Sequence, residues 1–127
     1  MTRLDFAVFD AVWMESESIL SAIRTHVFIE EQGVPKELEW DGLDLAARHV
    51  VAVTPTGDAI ATGRLLADGQ IGRMAVLAPY RRHGVGSAIL KRLIERARAE
   101  TALKRVLLHA QIHAVAFYVR HGFEMEG

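Results

Sequence analysis

The sequence predicts a mixed α/β domain, and three observations carry that reading. Residues 48–77 read as three short strands joined by two tight turns. A long stretch on either side, 16–33 and 85–99, repeats its apolar residues at helical spacing. After the second of these, the pattern continues as strand, helix and the start of a strand, with no linker, repeat or low-complexity segment.

The elements follow in order. "LDFAVFD" (4–10) is short, apolar and aromatic, and reads as a strand. In "SESILSAIRTHVFIEEQG", Ile19, Ile23, Val27 and Phe28 recur at helical spacing, Ser16 or Ser18 is positioned to cap the start, and Gly33 and Pro35 end it. "VPKELEWDGLDLAA" has no clear period and reads as an irregular loop with room for one helical turn. "RHVVAVT" is a strand, "PTGD" a turn, and "AIATGRLL" the returning strand, in which Gly63 marks a bulge or a close backbone approach. Asp68-Gly69 is a hairpin dipeptide, after which "IGRMAVL" completes an antiparallel meander. Val85, Ile89, Leu93 and Ala97 then lie four apart, with Ala88 and Ile94 beside them, as one helical stripe. "KRVLLHA" reads as a strand, "IHAVAFYVRHG" as a helix closed by Gly122 at C′, and "FEMEG" as the start of a strand.

Composition bounds the function. At 127 residues, half hydrophobic and a quarter charged, residues 1–127 form a single globular domain. Without cysteine, thiol catalysis, disulfides and thiolate-bound metals are excluded, which fits a reducing cytoplasm. No signal peptide and no apolar run of membrane-spanning length is present, so a membrane partner is not expected. A net charge of −1 argues against nucleic acid as a main partner. Acids crowd residues 15–44 and basic residues crowd 73–105, a distribution compatible with an anionic small-molecule ligand.

The stretch "RRHGVGSAIL" (81–90) sits between a strand and a helix start. The first turn of a helix leaves N–H groups without intrahelical acceptors, and the helix dipole adds partial positive charge there. Glycines let such a backbone approach a phosphate closely, while Arg81, Arg82 and the Ser87 hydroxyl supply further donors. The closing Lys-Ser/Thr of a Walker loop is absent, as is a full G-x-G-x-x-G. Taken alone, these residues leave open a phosphate cradle and a plain glycine turn before a helix.

Two motifs narrow the choice. Arg81-x-x-Gly84-x-Gly86, between "GRMAVL" and a long amphipathic helix, resembles the acetyl-CoA motif of the GNAT superfamily of N-acetyltransferases. "AFYVRHGF" resembles that family's Y-x-x-x-G-F segment through Tyr118, Gly122 and Phe123. The order of elements is also similar from end to end, and "VFIEEQGVPKELEWDGLD" with "RHVVA" resembles the ElaA-like branch.

The resemblance implies a central, mostly antiparallel sheet with helices on both faces. Family domains continue past Gly-Phe with a further strand, whereas this sequence stops at Gly127, so that strand is expected to be missing and the bare edge admits a homodimer. Acetyl-CoA is the implied co-substrate. Main-chain groups of Met74, Ala75 and Val76 would pair with its pantetheine arm, and Gln111 stands where relatives carry an asparagine that bonds the same arm. The pyrophosphate would lie on the N–H groups of Arg82, His83, Gly84, Val85, Gly86 and Ser87, with Arg81 assisting and the His83 side chain a bystander.

The implied reaction is direct attack of a small-molecule amine on the acetyl thioester. Tyr118 would protonate the departing thiolate, and backbone donors of the Met74–Val76 strand would meet the oxyanion. Candidates for the base are Glu30 and Glu31, then Asp41, Asp44 and His49. Arg64 is open to contacting an acidic acceptor or to pairing with a carboxylate; Trp40 is a candidate acceptor contact and Phe28 a groove wall. His109 and His113 are four apart but lack a third ligand, so no metal is expected. The rival reading is a CoA-binding regulatory module of the same fold without turnover; a third is an interaction domain without ligand.

Overall fold

A computed structural model of the chain describes residues 4–100, 106–107 and 115–124. The order is β1 (Ala7–Ala11), α1 (Trp13–Arg24) continuing into π-helical turns (Thr25–Glu31), α2 (Lys36–Glu39), β2 (Arg48–Val53), β3 (Ala59–Leu65), β4 (Ile71–Val76), a 3₁₀ turn (Ala78–Tyr80), α3 (Val85–Ala99) and α4 (Val115–Arg120). The strands form one antiparallel sheet in the order β1-β2-β3-β4.

The two faces of this sheet are covered by different helices. A Cβ built on Gly63 of β3 would lie 2.7 Å from Ile89 Cγ2 and 2.9 Å from Leu93 Cδ1, so α3 packs directly on the backbone there. The predicted close approach at Gly63 is therefore real. Val50, Ala52, Ala61, Leu65 and Ile71 share its core with Val85, Ile89, Leu90, Leu93 and Ala97 of α3. The next residue, Arg64, points the other way, toward Arg24 of α1 and the loop after α2. On that second face Ala75 packs with Ile23 and Val27.

A bulge sits at the centre of the site-bearing strand. Thr62 pairs with Ala75 and Arg64 with Gly72, so Arg73 and Met74 together oppose the single residue Gly63. Arg73 adopts φ +50 to make that extra step. The bulge sends the Arg73 side chain to the α1 face and leaves Met74 on the α3 face.

Two readings of the first helix need correction. It starts at Trp13, not at Ser16 or Ser18; Val12 is the N-cap residue, and no side chain caps the turn. The core face is Leu20, Ile23 and Val27, whereas Ile19 is 50% exposed. Beginning the helix three residues earlier adds a turn that carries Trp13 to the sheet, where its ring stacks on His49 at 5.1 Å. The wide turns at the end show as a Gln32 N–H bonded to the Val27 carbonyl, five residues back, before Gly33 turns the chain at φ +70. The predicted loop 34–47 contains α2, one turn long.

Of the strand expected at 104–110, Leu107 is described and bridges Gln70 in parallel. Residues 104–105 and 108–110 of that strand, His109 among them, lie outside the described residues, as do Gln111, His113 and residues 125–127. Among the described residues no helix is long and apolar enough to cross a membrane.

Candidate active site

The glycine loop leads into a helix start that no side chain caps. Arg82 and Gly84 both have positive φ, +67 and +80, which turns the backbone sharply into α3. Gly84 is the N-cap of this 15-residue helix, and no side chain caps it. The first-turn N–H groups of Val85, Gly86 and Ser87 therefore lack the side-chain acceptor that such positions usually have. The side chains of Arg82 and His83 are exposed. Arg81 is tied to the framework: its Nε donates to the Val76 carbonyl and its Nη2 to Glu31 Oε1, each at 2.9 Å.

Helix α4 closes against this loop. Phe117 Cζ lies 3.6 Å from where a Gly86 Cβ would stand. The Tyr118 hydroxyl donates to Met74 Sδ at 3.6 Å, which brings the phenol to the bulge of β4. Burial pushes the Tyr118 hydroxyl above its usual range, so it holds its proton at neutral pH. Its ring packs edge-on against Phe117 at 5.1 Å and Phe123 at 6.0 Å. Gly122, at φ +91, ends α4 at the predicted C′ position, and the Phe123 N–H returns to the Tyr118 carbonyl.

The carboxylates of the π-helical turns are held differently. Glu30 is exposed and pairs with His26 Nδ1 at 2.9 Å; Glu31 is bound to Arg81. Phe28 is half-buried against Ile23, Val27 and Ala75.

A second group of charges is buried beneath them. Arg24 (1% exposed) donates from Nε to Glu39 Oε2 and from Nη1 to Asp44 Oδ1, both at 2.6 Å. Its guanidinium lies 4.8 Å from the Trp40 ring centre and 5.6 Å from that of Trp13. Arg64 bonds Asp41 through both Nη atoms, at 2.6 and 3.0 Å, and Asp44 Oδ1 at 3.0 Å. Arg73 reaches the Leu38 and Glu39 carbonyls and Asp41 Oδ2. Three arginines thus face three carboxylates. For Arg64, the pairing alternative is the one realised.

This network sets the protonation of the other candidate bases. The Arg64 hydrogen bonds hold the Asp41 carboxyl down at about 2. Burial pushes Asp44 up, but Arg24 and Arg64 outweigh it and keep the group below its usual value. Burial lowers His49, whose Nε2–H donates to the Asp44 carbonyl at 2.8 Å. All three are engaged in structure. Because the folded-state pKa of Asp41 lies below its unfolded value, its stabilisation is complete above pH ~4 and is lost as pH falls toward about 2. Denaturant midpoints measured from pH 7 to 2 should fall across that window, and Asp41→Asn should start lower at neutral pH and fall less.

Sequence reading did not single out Arg24, Glu39 or Arg73. The available signal was Arg24, which falls on the buried helical face between Leu20 and Val27. Next to the network, Trp13, Glu17, Ser21, Trp40, Gly42, Asp44 and Leu45 line an open cleft of about 390 Å³.

Comparison with known proteins agrees with this geometry. Residues 13–123 match the acetyltransferase (GNAT) family. The uncharacterized N-acetyltransferase YjcF of Bacillus subtilis is 38% identical over 106 residues, covering 81% of this chain and 74% of its own. An acyl-CoA N-acyltransferase from Pseudomonas aeruginosa superposes with a TM-score of 0.79 at 32% identity, covering 94% of this chain and 88% of that one. Escherichia coli ElaA gives 0.82 at 25% identity, over 97% and 95%. The chain belongs to the acetyltransferase (GNAT) family.

Proposed function

We propose that the protein transfers an acetyl group from acetyl-CoA to the amine of a small-molecule acceptor. The observation that carries this reading is the uncapped N-terminus of α3 behind the Arg81–Gly86 loop, with the Tyr118 phenol held at the β4 bulge. The unpaired N–H groups and positive helix end suit a pyrophosphate. The acetyl thioester supplies an activated acyl group that an amine attacks without a covalent enzyme intermediate. Main-chain groups of Met74, Ala75 and Val76 align the arm that carries it, and N–H groups of the same strand oppose the developing negative charge. Tyr118, still protonated, hands its proton to the departing sulfur. Glu30 or Glu31, at the end of the π-helical turns, draws the proton from the amine directly or through water. Trp40, which lines the open cleft, is read as an acceptor contact. The cysteine-free composition agrees with a reducing compartment.

Thermal melting with and without acetyl-CoA tests the cradle. At a hundredfold excess over Kd the ligand adds about 2.7 kcal/mol, an upward shift of roughly 10 °C for a domain of this size. Gly84→Trp, which places a bulky ring in the cradle, should melt cooperatively but show no shift. No shift for the unmodified protein at saturating ligand would sink the reading. Release of CoA thiol across a panel of alkylamines, amino acids and polyamines then identifies the acceptor.

A further inference from the structure

The residue that follows the second glycine of the cradle is bonded to a histidine from another element. Ser87 Oγ and His121 Nε2 are 3.0 Å apart, and His121 Nδ1 lies 2.8 Å from the Phe117 carbonyl. A carbonyl only accepts, so Nδ1 carries the proton. In the neutral ring Nε2 is then an acceptor, and the Ser87 hydroxyl must donate to it. Ser87 accordingly turns its proton away from the cradle and its lone pairs toward it. That polarity is wrong for an anion. The arrangement is also no nucleophile, because the second ring nitrogen is held by a main-chain carbonyl and not by a carboxylate.

Protonation of His121 reverses the polarity. With a proton on each nitrogen, Nε2–H donates to Ser87 Oγ, and the hydroxyl is released to donate to a phosphate oxygen. We propose that His121 is a positioning residue for the cofactor: binding of the CoA pyrophosphate draws one proton from solvent onto His121 Nε2, which reorients the Ser87 hydroxyl into the cradle. This rests on the reading of the loop as a CoA site. One N–H bond forms at Nε2, the bond holding that proton in a buffer acid breaks, and the remaining changes are in hydrogen bonds.

The His121 ring lies between α3 and the end of α4. From α3, Ser87 faces it and Lys91 stands one turn further on; α4 and its end carry Tyr118, Arg120 and Glu124; Arg82 and His83 lie in the loop, and β4 brings Met74 against Tyr118. Among the described residues, no side chain other than that of Ser87 bonds the imidazole, and no carboxylate pairs with it. The Phe117 ring, 4.5 Å away, fixes its plane. Because the complex carries one proton more than the free protein, affinity falls as pH rises.

The test is calorimetric titration with dephospho-CoA, whose pyrophosphate does not change charge near neutrality, in buffers of different ionisation enthalpy. Uptake approaching one proton per ligand is expected, with affinity falling up to tenfold per unit rise in pH. Ser87→Ala and His121→Gln should both bind with no uptake and a flat pH dependence; His121→Gln retains an amide able to donate to Ser87. Binding by the unmodified protein without proton uptake overturns the inference and leaves the CoA site standing, as does uptake that persists in both variants. Absence of any binding overturns the CoA site itself.

Discussion

Replacing Arg24 with methionine is expected to cost about 3–5 kcal/mol, a large share of the ~5–15 kcal/mol that holds a domain of this kind together. The guanidinium is almost fully buried and forms hydrogen bonds to Glu39 and Asp44, whose side chains are equally removed from water. Methionine fills much of the volume, so the loss is electrostatic and not a cavity. It leaves two buried carboxylates short of their main counter-charge, with Arg64 still on Asp44 and Arg73 on Glu39 as partial compensation. The loop 36–47 loses its tie to α1, and Trp40 loses the cation on its face. Denaturant unfolding measures the change. Arg24→Met with Glu39→Leu should recover part of it, because a buried ion pair replaced by apolar groups is often close to neutral. A loss under about 1 kcal/mol for Arg24→Met would mean that the carboxylates reach water or neutralise easily, and that the network does not anchor the loop.

What could be read from the sequence was what is local along it. The meander is announced by its turns: Gly57 and Gly69 take the positive φ that "PTGD" and Asp68-Gly69 demand. The α3 stripe survives intact because its period is regular and Gly84 marks its start. The loop proposed as the cradle is contiguous from Arg81 to Ser87, so its residue types and their order could be read directly. The start of α1 was misplaced because its N-cap is Val12, which carries none of the usual chemistry. The π-helical turns were illegible because a five-residue bond leaves no periodic mark that survives over seven residues. The ion network is the clearest loss. Its arginines come from α1, β3 and β4 and its acids from α2 and the loop after it, a span of 24–73 that only the folded sheet draws together. Arg24 alone gave a hint, as a charge on an apolar stripe. The bulge at Arg73 likewise has no sequence signature, since the extra residue is defined only by its partner strand.

Tyr118→Phe is expected to lower kcat by about 10²-fold or more while leaving the Kd for acetyl-CoA within about twofold. The substitution removes one oxygen and keeps the ring, and the ring is what packs on Phe117 and Phe123. The hydroxyl's partner is a thioether, Met74 Sδ, a weak acceptor whose loss costs little. Fold and cradle are therefore spared, and the change isolates the proton. A thiolate leaves more readily, and returns less, when a proton reaches it as it departs. Tyr118 suits that task because burial keeps its proton in place, and because its hydroxyl already stands at the β4 bulge. The pH profile separates this role from a steric one. A phenol that must be protonated imposes a fall in rate on the alkaline side, above its ordinary pKa of about 10, and that limb should vanish in the variant along with most of the rate. Unchanged kcat would remove Tyr118 from proton transfer. A rise in Kd matching the loss in kcat/KM, with kcat intact, would reassign the hydroxyl to holding the cofactor.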